Sequence, residues 1–380
     1  MKIGIITLPF NTNYGGILQA YALQTALKKM GHEAITINRK TEGMPLKLKF
    51  MSVIRRVLLT VAGKKNVVIR SWPNKIEDKI ISQHTNRFIA ENIKTTPLFK
   101  SENDFYKLKS EKFEAFVVGS DQVWRPKYSP VIANHFLSFA SDEQNLKRIS
   151  YAASFGVDEW EYNDEQTKTC SKLAHQFNAI SVREDSGILL CNKNLGVNAI
   201  RVIDPTLLIS REEYISLVEK DKITKANGTL LNYVLDKAPD KKEIIQKIEK
   251  ELQLKTFSTM PETSFRESGK KKLQQCIFPP VTNWIRGFMD AEFVVTDSFH
   301  GTVFSIIFNK PFLAIGNEKR GLSRFTSLLK IFGLEERLVF DASADISGII
   351  KTPVDFGKVN AILNNEKSLA MKFLADALNS

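Results

Sequence analysis

The sequence predicts an α/β protein built as two Rossmann-like halves that face each other across a cleft. Three observations carry that expectation. Short apolar runs of strand length alternate with longer stretches of helical spacing, which is the rhythm of parallel sheets. The runs end in small or polar residues, and open α/β sheets bind ligands at such strand ends. The chain has 380 residues, long for one core, so two domains are expected, 1–225 and 226–380.

Composition bounds the function classes. The chain is 43% hydrophobic and 25% charged, and no stretch approaches the roughly 20 uncharged apolar residues that span a bilayer. Met1-Lys2-Ile3-Gly4-Ile5-Ile6-Thr7 reads as a first strand and not as a secretory leader. Three widely spaced cysteines, Cys170, Cys191 and Cys276, point to a reducing, cytoplasmic setting and away from disulfides or a zinc site. The formal net charge of +12 is uneven: ten basic side chains from Arg39 to Lys75 stand against Glu42. No base-reading motif accompanies it, so no nucleic-acid partner is expected.

Residues 2–39 predict a β-α-β unit: an apolar strand at Ile3–Leu8, a polar loop, a helix with Leu18, Ala22 and Leu27 on its face, and a strand at Ala34–Ile37. The loop Asn13-Tyr14-Gly15-Gly16 is no dinucleotide fingerprint, but it places bare N–H groups at a helix N-terminus, suited to phosphate or carboxylate. A plain tight turn explains it equally well. A helical insertion follows, about 40–112. Within it Phe50, Ile54, Val57, Leu58 and Val61 recur at helical spacing beside Lys47, Lys49, Arg55 and Arg56. Such a basic amphipathic segment, 44–70, is expected to meet an anionic membrane surface or a partner; a helix packed on its own domain is the plainer alternative.

The strand Phe116–Ser120 ends in Ser120-Asp121-Gln122-Val123-Trp124. Asp121 and Gln122 could seat sugar hydroxyls and Trp124 could offer an apolar face, unless the tryptophan simply closes a turn in the core. Two more strands end likewise, at Ser154-Phe155-Gly156 and at Val182-Arg183-Glu184. Arg183 could fork onto a phosphate or carboxylate, or pair with Glu184 or Asp185. Val202–Leu208 closes the first half, and the polar stretch Asp221–Gly228 marks the boundary.

The second half predicts a strand at Leu230–Leu235, a Lys/Glu-rich helix at 240–253, a strand at Leu254–Ser258, a polar loop at 259–275 and a short helix at 284–290. A buried strand, Phe293–Thr296, then feeds a tight turn and a helix through Val303 to Asn309. Asp297 and Ser298 are natural N-cap residues there. His300 falls in the first helical turn, near free N–H donors. Gly301 leaves room for close approach. A capped core helix with a structural histidine is the alternative. A strand at Phe312–Gly316, a helix at 321–332 and a final helix at about 357–378 complete the half.

Taken together, Asn13-Tyr14-Gly15-Gly16-Ile17-Leu18-Gln19-Ala20-Tyr21-Ala22-Leu23, Gly119-Ser120-Asp121-Gln122-Val123-Trp124, Ser181-Val182-Arg183-Glu184 and Asp297-Ser298-Phe299-His300-Gly301 resemble the polysaccharide pyruvyl transferase family. The resemblance implies a glycosyltransferase-B-like domain pair, with the first half on the acceptor side. It implies transfer of pyruvate from phosphoenolpyruvate (PEP) to a glycan, which could be lipid-linked, as a cyclic ketal. Residues matching His300 and Arg183 are implicated there in the reaction and in holding PEP. That chemistry needs a proton donor, cations for two anionic groups and polar groups for a diol, and no redox cofactor. No metal-ligating residues are assigned, and the absence of a D-x-D pair speaks against a metal-dependent form of the alternative, glycosyl transfer from a nucleotide-sugar.

Overall fold

Four-residue apolar runs such as Ala115–Val118 and Phe293–Thr296 are buried at every position, as strands covered on both faces by helices must be. The computed structural model describes residues 1–40, 45–65, 67–316 and 321–379. Residues 41–44, at the start of the predicted insertion, lie outside that description, Glu42 included.

The first sheet contains β1 (Lys2–Ile6), β2 (Glu33–Thr36), β3 (Ala115–Val118), β4 (Lys147–Ala153), β5 (Ala179–Val182) and β6 (Ile200–Arg201). Its order is β2-β1-β3-β4-β5-β6, parallel throughout. The second contains β7 (Leu230–Tyr233), β8 (Thr256–Phe257), β9 (Phe293–Thr296), β10 (Phe312–Ile315) and β11 (Leu338–Val339), ordered β11-β10-β9-β7-β8 and also parallel. Each sheet reverses its winding beside its own first strand, between β1 and β3 and between β7 and β9. A crevice opens at the carboxyl ends of strands at such a switch point. The molecule is therefore a pair of Rossmann-like domains, glycosyltransferase-B-like in architecture.

Helix α1 (Tyr14–Lys29) joins β1 to β2. The insertion supplies α2 (Leu46–Val61), α3 (Lys75–Ile81) and α4 (Gln83–Asn92), then a 3-10 stretch at Glu102–Glu111. Further helices α5 (Asp164–Ala174), α6 (Asp185–Leu190) and α7 (Arg211–Lys220) complete the first domain. The second adds α8 (Pro239–Leu252), α9 (Phe265–Ser268), α10 (Val281–Asp290), α11 (Phe299–Ile307), α12 (Leu322–Phe332), α13 (Ile346–Lys351) and α14 (Phe356–Asn379). Two expectations need correction. The stretch 259–275 is not simply a loop: it holds α9 and a 3-10 segment, Gly269–Cys276, whose Phe265 and Cys276 pack with Ile81. The helix predicted at 284–290 begins at Val281, after Pro280.

The domains share one apolar core. The Tyr14 ring stacks on Trp284 at 5.7 Å, and Tyr214 meets Phe304 edge-on at 4.9 Å. The final helix, expected to belong to the second half, packs on α12 there and also crosses to the first domain. Phe373 of α14 packs on Tyr151 of β4, and Glu366 accepts from Arg201 beside β6. Its apolar stripe is thus shared between α12 and the first sheet, a division that local periodicity could not indicate. No helix among the described residues is long and apolar enough to cross a membrane.

Leu374 on α14 is fully buried. Leu374→Ala should cost about 2–5 kcal/mol, as buried Leu truncations do. Denaturant unfolding followed by tryptophan fluorescence checks this, and a loss within 0.5 kcal/mol or so, the surface-substitution range, would mean the helix is not docked.

Candidate active site

The strand ends of the first domain meet the helix starts of the second. Ser298 caps α11, its Oγ accepting from the Gly301 N–H at 3.4 Å, which puts His300 in the first turn as expected. The imidazole crosses to the first domain and lies on Gly15, at the start of α1. A β-carbon at position 15 would stand 2.1 Å from His300 Nδ1, so only glycine fits.

Asp204 is the hub. It follows β6 and is almost wholly buried, 1% exposed. Its Oδ1 accepts from the Thr206 N–H at 3.0 Å and the Thr206 hydroxyl at 2.7 Å. Its Oδ2 accepts from Arg183 Nη1 at 2.7 Å and Ser120 Oγ at 3.3 Å. The same oxygen lies 3.7 Å from His300 Nε2, an ion-pair separation too long for a hydrogen bond. Burial alone would raise the Asp204 pKa; His300, Arg183 and Thr206 outweigh it and hold the carboxyl well below the usual range.

Arg183, just past β5, is also buried, with Nη2 3.6 Å from Asp121 Oδ1 and its guanidinium 4.5 Å from the Phe299 ring centroid. Burial would lower its pKa, but Asp204, Asp121 and Glu184 more than offset that and keep it charged. Its Nε and Nη2 have no protein hydrogen-bond partner among the described residues. Buried donors of that kind are costly unless something accepts from them. Glu184 does not pair with Arg183 directly. Its Oε1 accepts from Ser154 Oγ and the Phe155 and Gly156 N–H groups, and burial pushes its pKa up.

A second guanidinium completes the cluster. Arg324 of α12 is 8% exposed and stands 5.8 Å from the Phe299 centroid. Burial, then the charge of Arg183, pushes its pKa down to about 10. The start of α12 is drawn tightly onto the first domain, and the Asp185 N–H donates to Ser327 Oγ at 3.0 Å.

The remaining expected site residues divide clearly. Asp121 is at the cluster with a left-handed φ of 66°, and half-buried Gln122 is beside it, its Oε1 facing Arg125 at 3.3 Å. Asn13 is exposed and Gly16 half-buried at the mouth of α1. Ser120 is buried and serves Asp204. Four expectations are corrected. Trp124 offers no face to a sugar: it is fully buried, stacked on Phe136 at 4.8 Å, with its indole N–H donating to the His135 carbonyl. Tyr14 is turned into the domain junction, its hydroxyl donating to the Pro279 carbonyl at 2.8 Å. Asp297 is no cap of α11; it accepts from the Leu235 and Asp236 N–H groups and from Lys241. Gly301 makes room for the Thr296 side chain, 2.1 Å from where its β-carbon would be.

Sequence reasoning missed Asp204, Phe299 and Arg324 as site residues. The available signals were a carboxylate directly after the apolar pair Val202-Ile203 and an arginine in the apolar helix 321–332. Among the described residues no group of three His, Cys, Asp or Glu side chains is placed to hold a metal ion.

The sequence model of the family described as polysaccharide pyruvyl transferase matches residues 13–319. No curated protein matches the chain. Similar solved structures include UDP-GlcNAc 2-epimerase from Neisseria meningitidis bound to UDP-GlcNAc, at 12% identity, covering 100% of this chain and 99% of that one with a TM-score of 0.48. UDP-GlcNAc 2-epimerase from Methanocaldococcus jannaschii shows 14% identity, coverage of 96% and 92%, and a TM-score of 0.47. The N-terminal domain of Candida albicans trehalose-6-phosphate phosphatase shows 13%, 100%, 96% and 0.47 for the same measures.

Asp204→Asn would leave Arg183 buried without its closest counter-charge, a loss of about 3–5 kcal/mol. The folded-state pKa of Asp204 is depressed, so its contribution is complete above the unfolded value of about 3.9 and is lost as pH falls toward the folded one. The stability gap between parent and variant, measured by denaturant unfolding, should be constant above about pH 5 and narrow below about pH 4. A gap that widens in acid would contradict this assignment.

Proposed function

The chain belongs to the polysaccharide pyruvyl transferase family, and from that membership we propose that it transfers the pyruvyl group of PEP to a sugar of a surface polysaccharide or exopolysaccharide, or of its lipid-linked precursor, as a cyclic ketal. The observation that supports this reading is the meeting of His300, Asp204 and Arg183 over Gly15 at the domain junction. An acid, a fixed anion and a guanidinium with unused donors stand together there, which is what the reaction requires.

The reaction is a ketal transfer. Protonation of the PEP methylene makes a methyl group and places cationic character on C2. One sugar hydroxyl attacks C2, phosphate departs with its bridging oxygen, and a second hydroxyl of the same sugar closes the ring. Two hydroxyl protons are lost; one is balanced by the proton added to carbon, and the other leaves with phosphate. His300 is the general acid, in the first turn of α11 where its ring is fixed by Gly15. Asp204 is a positioning residue: its carboxylate faces Nε2 at 3.7 Å and orients the ring. Arg183 offers its Nε and Nη2, which make no protein hydrogen bond among the described residues, to the carboxylate or phosphate of PEP, and Arg324 supplies a second positive charge beside Phe299. Asp121 and Gln122 lie on the acceptor side, where hydroxyls would be seated. No cofactor enters this scheme.

Incubation with PEP and candidate glycan acceptors tests the reading. Phosphate release matched by a product heavier by pyruvate less water is the expected result. Release of a nucleotide from a nucleotide-sugar, with PEP untouched, would replace it with glycosyl transfer.

His300→Asn keeps a hydrogen-bonding group and removes the transferable proton. It should cut kcat by about 10²–10⁴ while leaving PEP binding within several-fold. Near-normal turnover would move the acid to Asp121 or Glu184. Arg183→Lys keeps the charge and loses the planar fork, so the apparent KM for PEP should rise more than that for the acceptor.

A further inference from the structure

Helix α2 is turned inside out relative to an ordinary surface helix. None of its sixteen residues is buried. Leu46, Phe50, Met51, Leu58 and Val61 are 83%, 68%, 55%, 63% and 81% exposed. With 3.6 residues per turn, these side chains and those of Ile54 and Val57 fall on one arc of about 140°. The opposite side faces the protein: Ser52 and Val53 are half-buried, Arg56 donates to the Val68 carbonyl at 2.7 Å, and the Lys49 ammonium lies 5.8 Å from the Trp72 ring centroid. An apolar face of this extent on a folded chain marks a contact surface.

The surrounding charge identifies what covers it. Lys47 lies within the apolar arc and Arg55 beside it, Lys64 and Lys65 follow the helix, and residues 45–76 contain no acid. The second domain adds Lys270, Lys271 and Lys272, all exposed, which line one groove together with Val67–Arg70 just beyond α2. Glu267, the acid in that groove, is engaged by Lys237 at 3.0 Å. A second copy of this chain would bring the same cations to the contact and be repelled. A surface that is apolar within and anionic at its rim fits both features.

We propose that α2 lies flat in the headgroup region of an anionic lipid bilayer, its apolar arc in the acyl boundary and the flanking lysines and arginines on lipid phosphates. A 16-residue helix presents about 24 Å of such a face. The proposal is independent of the reaction assigned to the cleft.

The test is co-sedimentation of the full chain with phosphatidylcholine vesicles, with and without phosphatidylglycerol, at low and high salt. Binding is expected with the anionic vesicles, weakened strongly by salt because screening shortens the reach of each charge. Each engaged basic residue is worth about five-fold in partitioning, so replacing Lys47, Arg55, Lys64 and Lys65 by Gln should abolish it. Phe50→Ser with Leu58→Ser should weaken binding at least about ten-fold by removing buried apolar surface, with the far-UV circular dichroism and the unfolding midpoint of the full chain unchanged. A parent that stays in the supernatant overturns the proposal. So does concentration-dependent self-association, read by light scattering without vesicles, that the Phe50/Leu58 variant loses.

Discussion

A single buried carboxylate governs how the two domains sit. Asp204 stays ionised inside the protein because His300 stands within ion-pair distance and Arg183 and Thr206 supply hydrogen bonds. Arg183 and Ser120 come from the first domain, His300 from the second. The domains must therefore close far enough for an imidazole on α11 to reach across α1, and Gly15 is the position that lets it. Stacking of Tyr14 on Trp284 a residue away pins the same helix start to the second domain. Apolar burial supplies the contact energy of this junction, and the charged cluster sets its geometry.

That division of labour explains what was legible in the sequence. The parallel sheets were readable because fully buried strands appear as continuous apolar runs. The Thr296-to-Gly301 turn was readable because capping is local: a serine three residues ahead of the N–H it accepts from is visible in any window. Residue type was a poorer guide to role. Trp124 follows polar residues at a strand end, as a sugar platform would, but its partners Phe136 and His135 lie about a dozen residues on, in the 3-10 turn Ile132–Phe136. Asp297 looked like a cap, whereas its acceptor capacity is taken by the loop after β7, some sixty residues earlier. Arg324 and Asp204 acquire meaning only when α12 and the end of β6 are brought to one place, and no local pattern encodes that. The final helix shows the same limit: its stripe announces that it will be buried, not by which sheet.

The cluster also separates residues that act from residues that hold. His300 and Arg183 present unused polar atoms at the junction. Ser120, Thr206 and Gly301 spend theirs, or their lack of a side chain, on neighbours. Arg324 stands close by: its guanidinium is 5.8 Å and that of Arg183 4.5 Å from the Phe299 ring centroid, and the charge of Arg183 helps to lower the Arg324 pKa. The exposed arc of α2 is built on different physics, apolar surface flanked by exposed cations.

The proposed proton transfer from His300 is tested most directly by running the reaction in D₂O with the parent and with His300→Asn, which should form labelled product about 10²–10⁴ times more slowly, and examining the ketal methyl group by NMR. Protonation of the PEP methylene by a solvent-equilibrated imidazolium should place one deuteron in each methyl group formed, in step with phosphate release. A methyl group carrying no deuterium, or a product formed while PEP is not consumed, would contradict the assignment of this site.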